Sequence, residues 1–364
     1  MSCYHPLYRA SEYSAPVLHS AWLRRRVRNG GVVLSQTDYD SLLVQEQKYF
    51  QRIPCGKCIG CRLSYSRQWA DRITLESILY PEESNFFLTI TYNDIFLPGV
   101  RNVLDSETGE VGVLNPLCKS DLQKFFKRVR RNYKLRYGLD LNLRYFACGE
   151  YGDKNGRPHY HVCVLNMPLP DLKVSERFSQ KRYGKVVSPL YESEFLNSCW
   201  TERLSSGKFL KGHIVVGRLT WSSAAYVARY IFKKQLGKSS ERYRVFDSDM
   251  ENSDDYPDSF TCMSLKPGIG YPYFEQHIPS LIVEDVVYVP VKGGVQKRKP
   301  PRYFDFKLKE VQPEVIDEIR AERRSVAISA RLMELEQVSM SEVEFLEKAE
   351  SMKMRSLSRL YRTL

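Results

Sequence analysis

One short stretch, residues 149–164, does most to restrict how this chain can fold. Asn155-Gly156 stands between two apolar runs, Leu143–Cys148 and His159–Leu165. An Asn-Gly pair adopts positive φ angles readily and is the strongest short-range signal for a tight turn between antiparallel strands. We therefore predict a β-hairpin with a two-residue turn at Asn155-Gly156.

The hairpin would bring two imidazoles and a carboxylate together. Successive side chains point to opposite faces of a strand, so His159 and His161 share a face. The two-residue turn places Glu150 opposite His161 on that face, and a longer loop that shifts the register by an even number of residues would keep this arrangement. Such a three-ligand site, with open positions, suits a divalent ion that also binds a substrate oxygen. The alternative is a half-buried strand whose histidines are satisfied by hydrogen bonds.

The composition favours a polyanionic partner. The net charge is +12, and lysine and arginine supply the counterion release that dominates affinity for nucleic acid. The 24 tyrosines favour unpaired bases, on which aromatic rings stack. A basic protein without a nucleic-acid partner has the same charge, so charge alone does not decide. No apolar run reaches membrane-spanning length and no signal-peptide pattern opens the chain, so we expect a cytoplasmic protein with no membrane partner.

The nine cysteines are expected to be reduced in such a compartment. Cys55, Cys58 and Cys61 follow the spacing Cys-x-x-Cys-x-x-Cys and supply three thiolates. Cys3 could be the fourth ligand of a tetrahedral structural zinc site. The alternative is a set of reduced, partly buried cysteines near the start of a helix.

Two further segments carry candidate functional residues. The run 86–92 is β-branched and aromatic with apolar–polar alternation, which predicts a half-buried strand carrying Thr89 and Thr91. Residues 220–237 predict a helix, on which Tyr226 and Tyr230 lie four residues apart and therefore on one face.

A cation stands near each phenol of that helix. Arg229 follows Tyr226 by three residues, and Lys233 follows Tyr230 by three. Such cations could favour the phenolate or hold a phosphate. The alternative is a pair of core aromatics at helical spacing.

Three motifs together resemble those of the HUH endonucleases: Phe-Leu-Thr-Ile-Thr-Tyr (87–92), Pro-His-Tyr-His-Val-Cys-Val (158–164) and Tyr-Val-Ala-Arg-Tyr-Ile-Phe-Lys-Lys (226–234). The sequence is most similar to the rolling-circle replication initiators of small single-stranded DNA phages in the Microviridae, particularly gokushoviruses. Cys-Tyr-His-Pro near the N-terminus and Pro-Cys-Gly-Lys-Cys-x-x-Cys-Arg also look like that group, so the resemblance covers at least residues 1–236.

The resemblance implies an α+β fold with a central five-stranded antiparallel sheet flanked by helices. It implies that Glu150, His159 and His161 hold Mg²⁺ or Mn²⁺, and that Tyr226 and Tyr230 are the nucleophiles. It further implies that a cation assists the tyrosines and that other residues contact DNA. We assign the first role to Lys233 and the second to Thr89, Thr91, Arg229 and Lys234.

The implied enzyme nicks single-stranded origin DNA through a phosphotyrosine intermediate in the cytoplasm of a bacterial host. It leaves a 3′-OH primer and rejoins the ends to release circular genomes. The chain has no Gly-x-x-x-x-Gly-Lys-Ser/Thr motif, so we expect a host helicase and a host DNA polymerase as partners. The alternatives are an HUH transposase or relaxase, and a non-catalytic, zinc-containing single-stranded DNA-binding protein.

We predict three regions. Residues 1–80 form an N-terminal segment with the cysteine knuckle and a helix, residues 85–295 form the HUH endonuclease domain, and residues 305–364 form a C-terminal helical tail. Within the second region we predict a strand from Ser280 to Pro290, followed by a Gly-Gly and Lys-Arg-Lys-Pro-Pro linker.

Overall fold

The computed structural model describes two compact units of the chain. Unit 1 combines Met1–Tyr65 with Ala321–Leu364, and unit 2 is Ser66–Arg320. The described residues are 3–10, 32–47, 49–99, 101–105, 109, 111–152, 156–182, 185–229, 243–245, 259–337 and 340–362.

Unit 1 contains a small antiparallel sheet and helices from both parts of the sequence. Strand β1 (Leu7–Ala10) lies between β2 (Val33–Leu34) and β3 (Phe50–Ile53). Their buried side chains form a small apolar cluster around Tyr8 and Phe50. The helices of this unit are α1 (Gln36–Asp40), α2 (Val44–Gln47), the start of α3 (Ile59–Ser77), the end of α9 (Pro313–Glu336) and α10 (Glu342–Arg362).

Both ends of the sequence contribute ion pairs to unit 1. The Arg52 guanidinium lies 2.5 Å from the Glu342 carboxylate, and His5 Nε2 lies 2.6 Å from Glu350 Oε2. Residues after Ala321 therefore help to hold the N-terminal segment in this unit.

Unit 2 is built on a seven-stranded sheet in which every neighbouring pair is antiparallel. Its strands, in spatial order, are β17 (Phe260–Met263), β7 (Arg144–Tyr151), β8 (Pro158–Leu165), β4 (Phe86–Thr91), β15 (Ile214–Arg218), β12 (Tyr191–Glu192) and β9 (Lys173–Val174). A large antiparallel sheet with helices confirms the α+β class. The predicted number of five strands is wrong, because β12 and β9 extend the sheet beyond β15. Each has only two residues, too short to leave an alternating pattern in the sequence.

The first face of this sheet carries the larger apolar core. Phe86, Leu88 and Ile90 alternate along β4 and are fully buried, as period-2 patterning requires. Two helices cover them: α4 (Lys119–Tyr137) and α5 (Glu194–Cys199). Each fully buried Leu or Phe contributes about 1.5–3 kcal/mol, so this face fixes which side of each strand points inward.

The second face is covered over only part of its length. Helix α3 contributes Trp69 and Ile73, and α6 (Trp221–Arg229) contributes Ala224 and Val227, to a core on the strands β7 and β8. The alternation that buries the first face places Glu150, His159 and His161 on this second face, towards the other end of the two strands.

Smaller sheets and a third layer complete unit 2. The small sheets pair β5 (Arg101–Asp105) with β6 (Val111–Leu114) and β16 (Tyr243–Val245), β10 (Gln180–Arg182) with β11 (Lys185–Ser188), and β13 (Thr201–Leu204) with β14 (Gly207–Leu210). The third layer contains α7 (Tyr271–Glu284), the hairpin β18 (Val287–Val291) and β19 (Gly294–Arg298), and α8 (Arg302–Val311). No helix in the described ranges is both long and apolar enough to cross a bilayer.

The predicted strand Ser280–Pro290 is wrong in its first half. Residues up to Glu284 belong to α7, whose Leu281 is buried in the third layer. Asp285 has a φ of 51° and ends the helix, and the strand begins only at Val287. The predicted linker is also wrong, because Gly293 and Gly294 turn the chain directly into β19.

Candidate functional site

The hairpin carrying the histidines forms, with a register shifted by two residues. Glu150 lies opposite His159, not His161. The predicted two-residue turn is wrong, because the strands stop at Tyr151 and Pro158 and are joined by the longer loop 152–157. Asn155 lies outside the described residues. Since the shift is even, the carboxylate and both imidazoles remain on one face, as the sequence predicts.

The three side chains meet at one carboxylate oxygen. Glu150 Oε1 lies 2.7 Å from His159 Nε2 and 2.9 Å from His161 Nε2. The two imidazole rings are 4.9 Å apart and nearly perpendicular. Glu150 is only 2% exposed and His161 only 6%, so the group is more buried than the surface site that a half-buried strand predicts.

The other nitrogen of each imidazole also has a partner. His159 Nδ1 lies 3.1 Å from the Arg157 carbonyl, and His161 Nδ1 lies 3.1 Å from the Thr89 hydroxyl. A carbonyl accepts only, so Nδ1 of His159 must carry the proton and a neutral ring presents the Nε2 lone pair to the carboxylate. Two lone pairs face each other at 2.7 Å, an arrangement that requires a cation or a proton between them.

The charges in this group are mutually adjusted. Burial alone would raise the pKa of Glu150, but hydrogen bonds to His159 and His161 outweigh it, and the net pKa is lowered. Burial lowers the pKa of His161, and the nearby carboxylate reverses only part of that effect. An ionised carboxylate beside a neutral imidazole is the protonation state that binds a metal ion.

A divalent ion fits this donor set. Glu150 Oε2 is buried and has no hydrogen-bond partner in the described part of the chain, so one oxygen lacks a partner that an ion would supply. One donor atom from each of Glu150, His159 and His161 lies within 4.8 Å of the others. Two imidazoles, one carboxylate and hydrogen bonds to both outer nitrogens match the usual build of a metal site with open positions.

Helix α6 brings Tyr226 to the edge of the triad Glu150, His159 and His161. The Tyr226 ring lies 5.1 Å from the His161 ring and 6.2 Å from that of Phe87, and the side chain is 36% exposed. The Arg229 guanidinium lies 5.8 Å from the Tyr226 ring, so the predicted cation stands beside this phenol. Tyr226 is therefore not a core aromatic.

Tyr230, Lys233 and Lys234 lie outside the described residues, and their assignments stay predictions. The remaining predicted DNA contacts, Thr89 and Thr91, lie on β4 opposite His161 and His159.

Sequence reasoning missed the residues that anchor α6. Trp221 Nε1 donates to Asp71 Oδ1 over 2.7 Å, and Arg298 pairs with the same carboxylate. The Arg298 guanidinium also stacks 4.6 Å from the Trp221 ring. Asp71 is separated along the chain from Trp221 by 150 residues and from Arg298 by 227, so no local pattern reveals these contacts.

The four predicted cysteines form a second cluster, in unit 1. The Sγ atoms of Cys3, Cys55, Cys58 and Cys61 all lie within 4.8 Å of one another, and all four thiols are free. The sulfurs of Cys55 and Cys61 are 3.9 Å apart, and those of Cys58 and Cys3 are 4.0 Å apart. A tetrahedral zinc ion with bonds of about 2.3 Å separates its sulfurs by about 3.8 Å, so the cluster has the right size.

Backbone amides stabilise thiolates in this cluster. The N–H groups of Tyr4, Cys55 and Cys58 each donate to a cysteine sulfur over 3.3 Å. Burial raises the pKa of Cys3 to about 11. For Cys58 burial also acts upwards, but hydrogen bonds from backbone amides outweigh it and lower the pKa to about 7.

The fold and these two clusters fit a protein that works on nucleic acid, and sequence comparison identifies the class. The family of the replication-associated protein ORF2 matches residues 85–235, which include the triad and Tyr226. The replication-associated protein ORF2 of Spiroplasma virus 4 is 33% identical over 278 residues, 76% of this chain and 74% of the relative. No solved structure gives a significant match.

Two further phage proteins extend the comparison. The replication-associated protein VP4 of Bdellovibrio phage phiMH2K is 31% identical over 80% of this chain and 78% of its own length. The replication-associated protein ORF4 of Chlamydia phage 1 is 29% identical over 69% of this chain and 59% of its own length. This chain belongs to the family of phage replication-associated proteins, which confirms the resemblance to Microviridae-like phage replication proteins.

Proposed function

We propose that this protein is an HUH endonuclease that initiates rolling-circle replication of a phage genome by nicking single-stranded origin DNA. The observation that carries this proposal is the position of Tyr226, whose ring lies 5.1 Å from an imidazole of the triad Glu150, His159 and His161. A solvent-accessible phenol beside a two-histidine, one-carboxylate group is the arrangement that a metal-assisted attack of tyrosine on a phosphodiester requires.

The triad residues would hold Mg²⁺ or Mn²⁺, which supplies charge stabilisation for the oxygens of the scissile phosphate. Tyr226 attacks the phosphorus through its phenolic oxygen, forming the bond to the 5′ phosphate while the bond to the 3′ oxygen breaks. Because the side chain is partly exposed, its proton can pass to solvent. The 3′ oxygen takes up a proton and becomes the hydroxyl that primes synthesis, while Arg229 lies close enough to offset charge at the phenol.

A second nucleophile, Tyr230, would attack the regenerated origin while the first remains attached, so that ends are exchanged and a circle closes. Lys233 would assist this phenol, and Lys234 would contact DNA. No external energy source is needed, because the tyrosyl phosphodiester conserves the energy of the cleaved bond.

The cell compartment, partners and regions follow from this function. We place the protein in the cytoplasm of a bacterial host, acting with the host's helicase and DNA polymerase. We assign residues 85–295 to the endonuclease, residues 1–80 to the cysteine-containing segment and residues 305–364 to the helical tail. An HUH transposase or relaxase would use the same chemistry, but replication is the process named for the relatives.

We also propose a structural zinc ion at Cys3, Cys55, Cys58 and Cys61. The support is the sulfur separation of 3.9–4.0 Å together with the amide hydrogen bonds to sulfur. Four thiolates with no open position favour a structural role for this zinc over a catalytic one. The ion would tie the N-terminal residue Cys3 to the start of helix α3.

The test is cleavage of a labelled origin strand by purified protein. We expect cleavage that is lost with chelator and restored by Mn²⁺ or Mg²⁺, with label transferred to the protein as a covalent adduct. His161→Ala should eliminate both cleavage and adduct, and His277→Ala, outside the triad on α7, is the matched control. DNA binding without any metal-dependent cleavage would favour the non-catalytic, zinc-containing DNA-binding protein.

A further inference from the structure

The row of residues that carries the triad continues across the sheet to a third histidine. Glu150 pairs with His159, which pairs with Thr91 on β4. The ladder continues one residue beyond the Ile214 pair of β15, where the Thr91 N–H donates to the His213 carbonyl over 3.0 Å. His213 therefore stands in line with Glu150 and His159, two strand spacings or about 10 Å from His159.

Alternation places the His213 side chain on the same face as the triad. Ile214 and Val216 are buried in the core of the first face, so His213 and Val215 belong to the second. Helices α3 and α6 leave this end of the second face uncovered, and Thr89, Thr91 and Val215 are only half-buried there. An uncovered sheet surface thus extends from the metal site to His213.

The backbone that carries His213 is tightly held. A Cβ at Gly212 would lie 1.9 Å from the Thr91 carbonyl oxygen, so only glycine allows this approach. The Thr91 hydroxyl donates to the His213 carbonyl over 3.1 Å, and Trp200 Nε1 donates to the Thr91 carbonyl over 2.9 Å. These bonds fix the position of His213 relative to the triad.

The imidazole of His213 is nevertheless exposed, and makes no hydrogen bond or ion pair with any residue that the structure describes. Its neighbour is the Phe178 ring, 6.5 Å away, and the Arg177 guanidinium lies 5.0 Å from that ring. A donor, an aromatic ring and a cation at the end of an open surface are the groups that bind a single strand, through its phosphates and the face of a base.

We propose that His213 binds a phosphate of a nucleotide that flanks the scissile phosphate, and that Phe178 stacks on the adjoining base. The site deepens the proposed function, on which it rests, since it fixes where the strand leaves the metal site. The imidazole N–H donates to a phosphate oxygen, and the distance of about 10 Å from the triad keeps His213 clear of the reacting atoms.

The experiment measures binding of a fluorescein-labelled oligothymidylate to the full-length protein in chelator, by anisotropy. His213→Ala should weaken binding roughly tenfold, as expected for loss of a hydrogen bond to a charged group. His213→Lys should restore most of the affinity, because an ammonium also binds phosphate. Phe178→Leu should weaken binding several-fold. The matched control is His277→Ala, which alters a histidine on α7 and should bind as the unaltered protein does.

A second readout separates contact with DNA from a purely structural role. His213→Ala should keep the melting temperature and Mn²⁺ affinity of the unaltered protein, and should reach the same adduct yield at saturating DNA. Unchanged DNA affinity, or a loss of DNA and Mn²⁺ affinity together, would overturn the inference. Cleavage by the unaltered protein tests the proposed function separately: its absence would refute the nuclease, while the chelator experiment would still decide the role of His213 in binding.

Discussion

The hydroxyl of Thr89 offers the sharpest test of the metal site. It lies 3.1 Å from His161 Nδ1, directly across the β4–β8 pairing, and holds the ring whose Nε2 faces Glu150. Thr89→Val removes this hydroxyl with almost no change in shape. The His161 side chain is only 8% exposed, so water does not readily replace the lost partner.

Loss of a hydrogen bond to the outer nitrogen of a ligating histidine typically costs 10–100-fold in metal affinity, or about 1.4–2.7 kcal/mol. We expect Thr89→Val to fall within this range for Mn²⁺, measured by calorimetry on metal-free protein, and Thr89→Ser to retain affinity. Thr91→Val is the matched control, because its hydroxyl bonds a backbone carbonyl and touches neither triad histidine. Unchanged affinity in Thr89→Val, or an equal loss in Thr91→Val, would refute the reasoning.

Four further outcomes are expected. Tyr226→Phe and Tyr230→Phe should each permit a first nick and block circle closure, while the double variant forms no adduct on a gel of labelled origin strand. Cys58→Ser should lose the zinc that elemental analysis finds in the unaltered protein. Glu76→Gln should lower the free energy of unfolding by about 3–5 kcal/mol in denaturant titration, because the buried Arg144 loses its counter-charge. Metal-free protein should recover cleavage at lower concentrations of Mn²⁺ than of Mg²⁺, since imidazole ligands favour the former.

Each of these has a result that contradicts it. Adduct in the double variant would place the nucleophile elsewhere, and one inert single variant beside a fully competent one would mean a one-tyrosine enzyme. Zinc-free unaltered protein with the same melting temperature would leave the cysteines as ordinary thiols. A neutral Glu76→Gln would show that Arg144 is satisfied by the carbonyls of Pro267 and Gly268 alone. Equal activation by both metals would argue against direct imidazole coordination.

The local part of the site could be predicted from the sequence. Strand alternation places His159 and His161 on one face whatever the loop does, and the even register shift kept Glu150 with them. The loop itself was mispredicted, because an Asn-Gly pair favours a two-residue turn but does not exclude a longer connection. The four-cysteine cluster was predicted from spacing for three members, and Cys3 joined them through the fold of unit 1.

What the sequence could not reveal depends on distant partners. Strand and helix compete for a run of β-branched residues such as Ile282 and Val283, and only packing of Leu281 in the third layer decides for the helix. The pair of Glu76 with Arg144 and the contact of Trp221 with Asp71 join separate parts of the chain, so no periodicity marks them. His213 carried no motif, and only the β4–β15 register shows that it stands in line with the triad.

The composition of unit 1 from both ends of the sequence has a consequence for biosynthesis. A ribosome makes Met1–Tyr65 first, but the other half of that unit begins at Ala321. The whole of unit 2 lies between them and is translated before the partners of Arg52 and His5, Glu342 and Glu350, exist. Because domains generally fold as they emerge, the unit with the metal triad is complete while the N-terminal segment still waits for its partner helix. A prematurely terminated chain would thus carry a folded triad on an unfinished unit 1.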